Sequence, residues 1–341
     1  MSPHMNRSAR ISKALVFGGT GVVGKPIVEA LHRQKVAVWS VSLEKASLPS
    51  AVSQCLIDRS SPDYENSINQ LHAQAGGWDL VVDTFSFDDK TGRETHRLFK
   101  EKAKHIVTIS TTLVYDRTSQ ATDDPIAENT PLAQAGQLGG YVDGKLKLEE
   151  FWRSVDDVAW TIFRPYHILG RSSLLGCAPE HNRDPKLLER LRNGERLRLA
   201  GGGSTPFNYV HPKDIAQAIC EAAGNSKAFS QAYNLVNPEE ITAREYYTEI
   251  ARQVGGTLLI EPVSIETIWN EQKGWEMTTL PHLYSVQKLK KDFGFVPATP
   301  LSEAIKDSIE SYPTVHEQPE KIPVHQRINK LPRPKKPSWL R

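Results

Sequence analysis

The sequence predicts an α/β fold, a doubly wound parallel sheet with a smaller C-terminal lobe. Three observations support it. A glycine-rich turn near the N-terminus joins an apolar run to a helical pattern, strand-like and helical stretches alternate through the first half, and the rhythm changes after about residue 170. The run Ala14-Leu15-Val16-Phe17 enters Gly18-Gly19-Thr20-Gly21-Val22-Val23-Gly24, and helical spacing follows from Val22 to Leu31. Gly19-x-Gly21-x-x-Gly24 has the dinucleotide-binding spacing. Such a turn must be tight, must let a pyrophosphate approach the backbone and must seat the helix on the strand. The helix amides and dipole then favour the anion. Gly18, Gly19, Thr20, Gly21, Val22, Val23 and Gly24 are therefore candidate cofactor contacts. The strand-to-helix setting separates this run from an ordinary tight turn.

Further strands are predicted at Val36 to Val41, Gln54 to Ile57, Leu80 to Phe85, His105 to Ser110 and Ala159 to Phe163. Helical patterns at Tyr64 to Ala75 and Lys90 to Ala103 lie between them. This alternation marks a parallel sheet that binds ligands at the carboxyl ends of its strands. The chain divides into a flexible extension (1–12), a nucleotide-binding domain (13–169) and a mainly substrate-binding lobe (170–311), then a basic, proline-rich tail (312–341). The lobe carries helices at Asp184 to Asn193, Pro212 to Ala223 and Thr242 to Gln253, and its stretch Tyr233 to Val236 is expected to return to the main sheet.

With 341 residues the chain can bury a large core, and 39% hydrophobic and 24% charged residues are globular values. A net charge of +2 gives no whole-chain argument for nucleic acid or membrane. Cys55, Cys177 and Cys220 are odd in number and widely spaced, so neither a disulfide framework nor a metal site is expected. No apolar run reaches membrane-spanning length. A cytoplasmic protein with reduced cysteines is the expectation.

Tyr141 and Lys145 share one face of a helical pattern running from Tyr141 to Arg153. An ammonium beside a phenol lowers the phenol pKa, and such a tyrosine can exchange a proton with a carbonyl or alcohol. Ser110-Thr111-Thr112 ends the strand that begins at His105, where a hydroxyl can polarise a reacting oxygen.

Gly18-x-x-Gly21-x-x-Gly24, Ser110-Thr111-Thr112-Leu113-Val114-Tyr115, Glu128-Asn129-Thr130-Pro131, Tyr141-x-x-x-Lys145 and Arg164-Pro165 together resemble the extended short-chain dehydrogenase/reductase family, of the NAD-dependent epimerase/dehydratase type. The resemblance covers roughly residues 13 to 310. It implies a Rossmann domain that binds NAD or NADP, with Tyr141 as acid/base, Lys145 on the nicotinamide ribose and Thr111 in the catalytic Ser/Thr position. It also places Asp58 at the adenine, puts Phe85 beside the cofactor where relatives often have alanine, and suggests a homodimer through the Tyr/Lys helix.

The departures narrow the expected function. No acid ends the second strand, Val38-Trp39-Ser40-Val41-Ser42, so a 2′-phosphate is tolerated and NADP is favoured, with Ser40, Ser42 or Lys45 as contacts. His167 stands where sugar-nucleotide epimerases usually carry asparagine. Phe207-Asn208-Tyr209-Val210-His211 replaces their Arg-Asp-x-x-His, removing the arginine that would meet a substrate diphosphate, with Arg171, Arg183 or Arg196 as possible substitutes. A small carbonyl or alcohol is the expected substrate, with Thr112, Tyr166, His167 and Phe207 facing it. Asp83, in a buried run, needs a partner. The leading expectation is net NAD(P)-dependent oxidoreduction. The alternatives are a sugar or sugar-nucleotide epimerase or dehydratase with recycled cofactor, and a non-catalytic nucleotide-sensing or RNA-binding relative.

Overall fold

The computed structural model describes residues 11–116, 124–136, 140–173, 175, 184, 186–271 and 279–312. The expectations for Cys177, Arg183, residues 1–10 and the tail beyond 312 lie outside the described residues. The first half alternates as anticipated: β1 (Lys13–Phe17), α1 (Gly24–Arg33), β2 (Ala37–Ser42), β3 (Ser53–Leu56), α2 (Tyr64–Ala75), β4 (Leu80–Asp83), α3 (Asp89–Phe99), β5 (His105–Ile109), α4 (Gly140–Arg153) and β6 (Ala159–Pro165). With β9 (Gln231–Leu235) they build a seven-stranded sheet in the order β3-β2-β1-β4-β5-β6-β9, every pairing parallel. The strand expected near Tyr233 thus lies against β6.

Alternation along β1 distributes the core. Ala14 and Val16 pack with Ile27, Val28 and Leu31 of α1 on one side, whereas Leu15 and Phe17 pack with Ile68, Phe99 and Trp152 on the other. Apolar runs buried on both faces are what a parallel sheet demands. Pro26 is accommodated because the first helical turn has no internal acceptor for its missing N–H. α6 (Pro212–Ala222) shares the α1 side, with Pro212 at its start and His211 accepting from Lys213 N.

Several ends differ from expectation. β4 stops at Asp83 rather than Phe85, because the Asp83 carboxylate takes the Phe85 N–H at 2.9 Å and turns the chain. α3 starts at a reciprocal Asp88/Thr91 cap and ends at Phe99, since the Trp78 N–H captures the Lys102 carbonyl and Ala103 bridges Trp78. Beyond β6, β7 (Arg196–Ala200) pairs with β11 (Leu259–Val263), and β8 (Pro206–Tyr209) pairs with β10 (Asn237–Thr242) beside α7 (Ala243–Gln253). The expected helix Asp184 to Asn193 contracts to Leu187–Arg192. No helix among the described residues is long and apolar enough to cross a membrane.

His105 shows how this core handles a titratable group. Its Nδ1 accepts from the Gly224 N–H at 3.4 Å, so Nε2 carries the proton and donates to Thr161 Oγ1 at 2.8 Å, which in turn donates to the Ala228 carbonyl. Burial pushes the imidazole pKa down to about 3 from 6.5. The unfolded chain therefore binds this proton first, and the neutral ring's contribution is complete above pH 6.5 and lost as pH falls toward 3. Thermal midpoints measured at falling pH should drop more steeply for the native chain than for His105→Gln, and parallel curves would contradict this account.

Candidate functional site

The carboxyl ends of β1, β4, β5 and β6 bring four sequence-distant segments together, at the place where open parallel sheets form their ligand sites. The first is the glycine turn. Gly18 has φ +72°, its N–H donates to Val41 O at 2.8 Å, and its carbonyl receives the Gly21 N–H at 2.9 Å. A Cβ on Gly24 would lie 2.0 Å from Gly18 O, so close seating of helix on turn requires glycine there. Gly21 is different. It is exposed, and a Cβ there would meet only Gly18 O, at 3.3 Å. That contact is milder than the one at Gly24, and the exposed backbone at 21 is open to a group approaching from outside. Thr20, Val22 and Val23 are half-buried around it.

Along the neighbouring strands the expected contacts separate. Ser42 ends β2, and its hydroxyl donates to Glu44 O at 2.8 Å, while Glu44 and Lys45 are exposed just beyond. Ser40 is fully buried, and a Cβ on Gly19 would lie 2.3 Å from its Oγ. Its hydroxyl therefore lies shut in beneath the turn. Asp58 is exposed and accepts from Ser60 N and Ser60 Oγ, which hold its carboxyl below the usual range. Asp83 finds its partner in Arg59, a residue the sequence reading passed over. The guanidinium meets both Asp83 oxygens at 3.4 and 3.1 Å, bonds Glu94 at 2.8 Å and lies over the rings of Phe17 and Tyr64. Burial pushes the Asp83 carboxyl up, but Arg59 and the Ser86 and Thr95 hydroxyls more than offset it and hold it low.

Lys145 and Tyr141 lie on the inward stripe of α4, with Leu148, Glu149 and Trp152. Gly144 lets this helix approach, because a Cβ there would lie 2.5 Å from Phe87 O. Lys145 Nζ donates to Ser86 O at 2.5 Å and Ile109 O at 2.7 Å, tying α4 to the ends of β4 and β5. The ammonium lies 4.8 Å from the Phe87 ring centroid and 5.7 Å from that of Tyr141. Burial brings its pKa down to about 8, against the opposing pull of Asp83, Glu149 and Asp88. The expected lowering of the Tyr141 pKa is corrected. Burial pushes the phenol up to about 12, and the Thr111 side chain, rather than Lys145, draws it back. Lys145 spends its protons on backbone carbonyls and lies against the phenol ring.

Thr111 is buried, and its Oγ1 accepts from Leu113 N at 3.3 Å at the start of a short 3-10 turn. Thr112 is fully buried inside that turn. Phe85 is 49% exposed and edge-on to Phe87, which in turn touches Tyr141. The expected aromatic lining is corrected too. Phe207 is fully buried in a cluster with the rings of His167 and Tyr246, which also touch each other, and Tyr166 stacks on His282 at 4.5 Å. These rings are core. His167, half-buried with φ +38°, is the one of the three left partly open, its backbone held by the Val210 N–H on its carbonyl. Glu149, Phe87 and Gly144 were also missed. A charged residue one turn beyond Lys145 on an apolar stripe was the signal for Glu149.

Residues 93–235, which include Thr111, Tyr141 and Lys145, match the model of the NAD dependent epimerase/dehydratase family. Over 146 residues the chain is 27% identical to a 2-alkyl-3-oxoalkanoate reductase of Stenotrophomonas maltophilia, spanning 36% of this chain and 44% of that protein. Over 314 residues it is 24% identical to the chloroplast stem-loop binding protein of 41 kDa b of Arabidopsis thaliana, spanning 87% and 78% of the two. The fold is shared with the Bordetella bronchiseptica enzyme WbmH, solved with NAD+ (TM-score 0.67, 18% identity, 88% of this chain and 98% of that one). It is shared as well with a UDP-glucose 4-epimerase of Thermotoga maritima, solved with UDP-glucose (TM-score 0.63, 18% identity, the same shares).

Crowding at the glycine turn can be tested directly. Gly24→Ala should cost about 1–3 kcal/mol, read from denaturant midpoints, because backbone must move, whereas Gly21→Ala should cost far less. Equal losses would contradict the contrast drawn between the two positions.

Proposed function

Starting from a chain that carries an NAD dependent epimerase/dehydratase family domain over residues 93–235, we propose that it is an NAD(P)-dependent oxidoreductase acting on the carbonyl or alcohol of a small molecule. The observation that carries the reading is the meeting of Thr111, Tyr141 and Lys145 beside a glycine turn whose Gly21 is exposed. The turn would hold the pyrophosphate, Asp58 the adenine side and Lys145 the nicotinamide ribose. A bound nicotinamide supplies or accepts the hydride.

The protein's own residues manage the proton. A phenol pushed up to about 12 is fully protonated at neutral pH, so in the reductive direction Tyr141 donates its hydroxyl proton to the substrate oxygen. The Thr111 hydroxyl polarises the same oxygen. Lys145, at about 8, is charged at neutral pH and loses its charge as pH rises through that value. NADP is favoured over NAD because β2 ends in Ser42 rather than a carboxylate, with the first acid, Glu44, two residues on and exposed Lys45 next to it. The packing of Phe207 with His167 and Tyr246 puts a ring where a diphosphate-binding arginine was looked for, which favours a substrate without a diphosphate. The name of the Stenotrophomonas relative, an oxoalkanoate reductase, agrees with a small carbonyl substrate.

A second reading has one specific observation behind it. The relative that spans most of this chain is named as a stem-loop binding protein. Against it, Arg97 of α3 is paired with Glu65, and Lys100 just past that helix with Asp157. Strong, salt-dependent binding of a hairpin RNA would favour this second reading.

Tyr141→Phe should remove most turnover in a panel of small ketones and aldehydes while leaving NADPH affinity nearly intact. Near-native turnover in that variant would defeat the assignment. The native enzyme's reductive rate should fall as pH rises through about 8, well below the ordinary lysine value. A rate held to pH 10 or above would show that the Lys145 charge is not required.

A further inference from the structure

Arg164 is the penultimate residue of β6, just before Tyr166 and His167, and its side chain is fully buried. Its Nε and NH2 grip the Glu149 carboxylate at 2.9 and 2.5 Å, and its NH1 donates to Tyr115 OH at 2.7 Å. Glu149 stands one helical turn past Lys145 on the same stripe of α4. Tyr115 closes the 3-10 turn that begins at Thr111, and its hydroxyl donates on to Asn234 Oδ1 at 2.6 Å in β9. One guanidinium thus holds both halves of the site, the helix with Tyr141 and Lys145 and the strand-end segment with Thr111. A planar fork suits this because its donors are fixed in direction.

We propose that Arg164, through Glu149 and Tyr115, is a positioning residue that sets the Tyr141/Lys145 helix against the Thr111 segment. The inference rests on the redox-site reading above, in which Lys145 holds the cofactor. Beyond holding the helix, Glu149 puts a negative charge near the Lys145 ammonium. Burial pushes the Glu149 carboxyl up, yet Arg164 keeps it ionised. The other charged groups that act on Lys145 are Asp83 at the end of β4 and Asp88 at the start of α3, both acidic. Removing the Glu149 charge therefore disfavours the ammonium and lowers the pH at which Lys145 discharges. That shift reads the Glu149 charge itself, and loss of affinity in a stably folded variant reads the positioning.

The test is NADPH affinity, followed by nicotinamide fluorescence between about pH 6 and 10, for the native chain, Glu149→Gln, Arg164→Lys and Lys145→Met, with thermal midpoints alongside. Folded Glu149→Gln should bind about tenfold more weakly, with its alkaline loss of affinity beginning about half a pH unit lower. Arg164→Lys keeps the charge but loses the fork, so it should weaken binding without moving that pH. Native affinity and native pH dependence in folded Glu149→Gln would overturn the proposal, even with a lowered thermal midpoint. Should Glu149→Gln fail to fold, Arg164→Lys decides, and native affinity there overturns the proposal equally. Native binding at all pH values in Lys145→Met would instead defeat the redox-site reading itself.

Discussion

The buried ion pair between Arg164 and Glu149 is the constraint on which the rest of the site depends. Both side chains are withdrawn from water, and the cost of withdrawing two charges offsets much of their attraction. Such a pair adds little net stability. What it fixes is geometry, because an orphaned charge at either end would be far more costly than the bonded pair. The register of α4 on β5 and β6 is therefore tightly specified. Gly144 against the Phe87 carbonyl and Lys145 on the Ser86 and Ile109 carbonyls then follow from that register.

A second buried charge system mirrors the first. Arg59 holds Asp83, and Asp83 holds the Ser86 and Thr95 hydroxyls and the Phe85 N–H. Ser86 belongs to both systems, since its side chain serves Asp83 while its carbonyl serves Lys145. The carboxyl edge is thus braced on both sides of β5 by guanidinium–carboxylate pairs, with Lys145 between them. Burial lowers the Lys145 pKa, and the Asp83 and Glu149 carboxylates of the two systems oppose that lowering, which keeps an ammonium tenable in a dry site.

Local features were legible in the sequence. The glycine turn, the period of the strands and the Tyr/Lys spacing depend on residues within one or two turns of each other, and spacing reports them faithfully. Long-range partners were not. Asp83 announced that it needed a partner, but Arg59 reaches it only through a strand crossover. Phe207 looked like a pocket lining because its neighbours in sequence suggested a substrate loop, and it packs inward because Tyr246 of a later helix covers it. Ser40 alternates correctly along β2, and only the folded turn above it shows that its hydroxyl is shut in. The Tyr141 phenol was misjudged for a related reason. Sequence places Lys145 on the same helix face but cannot show that the carbonyls of Ser86, past β4, and Ile109, at the end of β5, take its hydrogen bonds.

Every role assigned at this carboxyl edge requires that it bind a nicotinamide dinucleotide. Titrating the purified native protein with NADPH and with NADH, after its spectrum has been checked for carried-over cofactor, tests that most directly. Saturable, exchangeable binding with a clear NADPH preference is the predicted result. Tightly retained NAD would keep the site but move the reaction to internal redox, and binding of neither nucleotide would contradict the account.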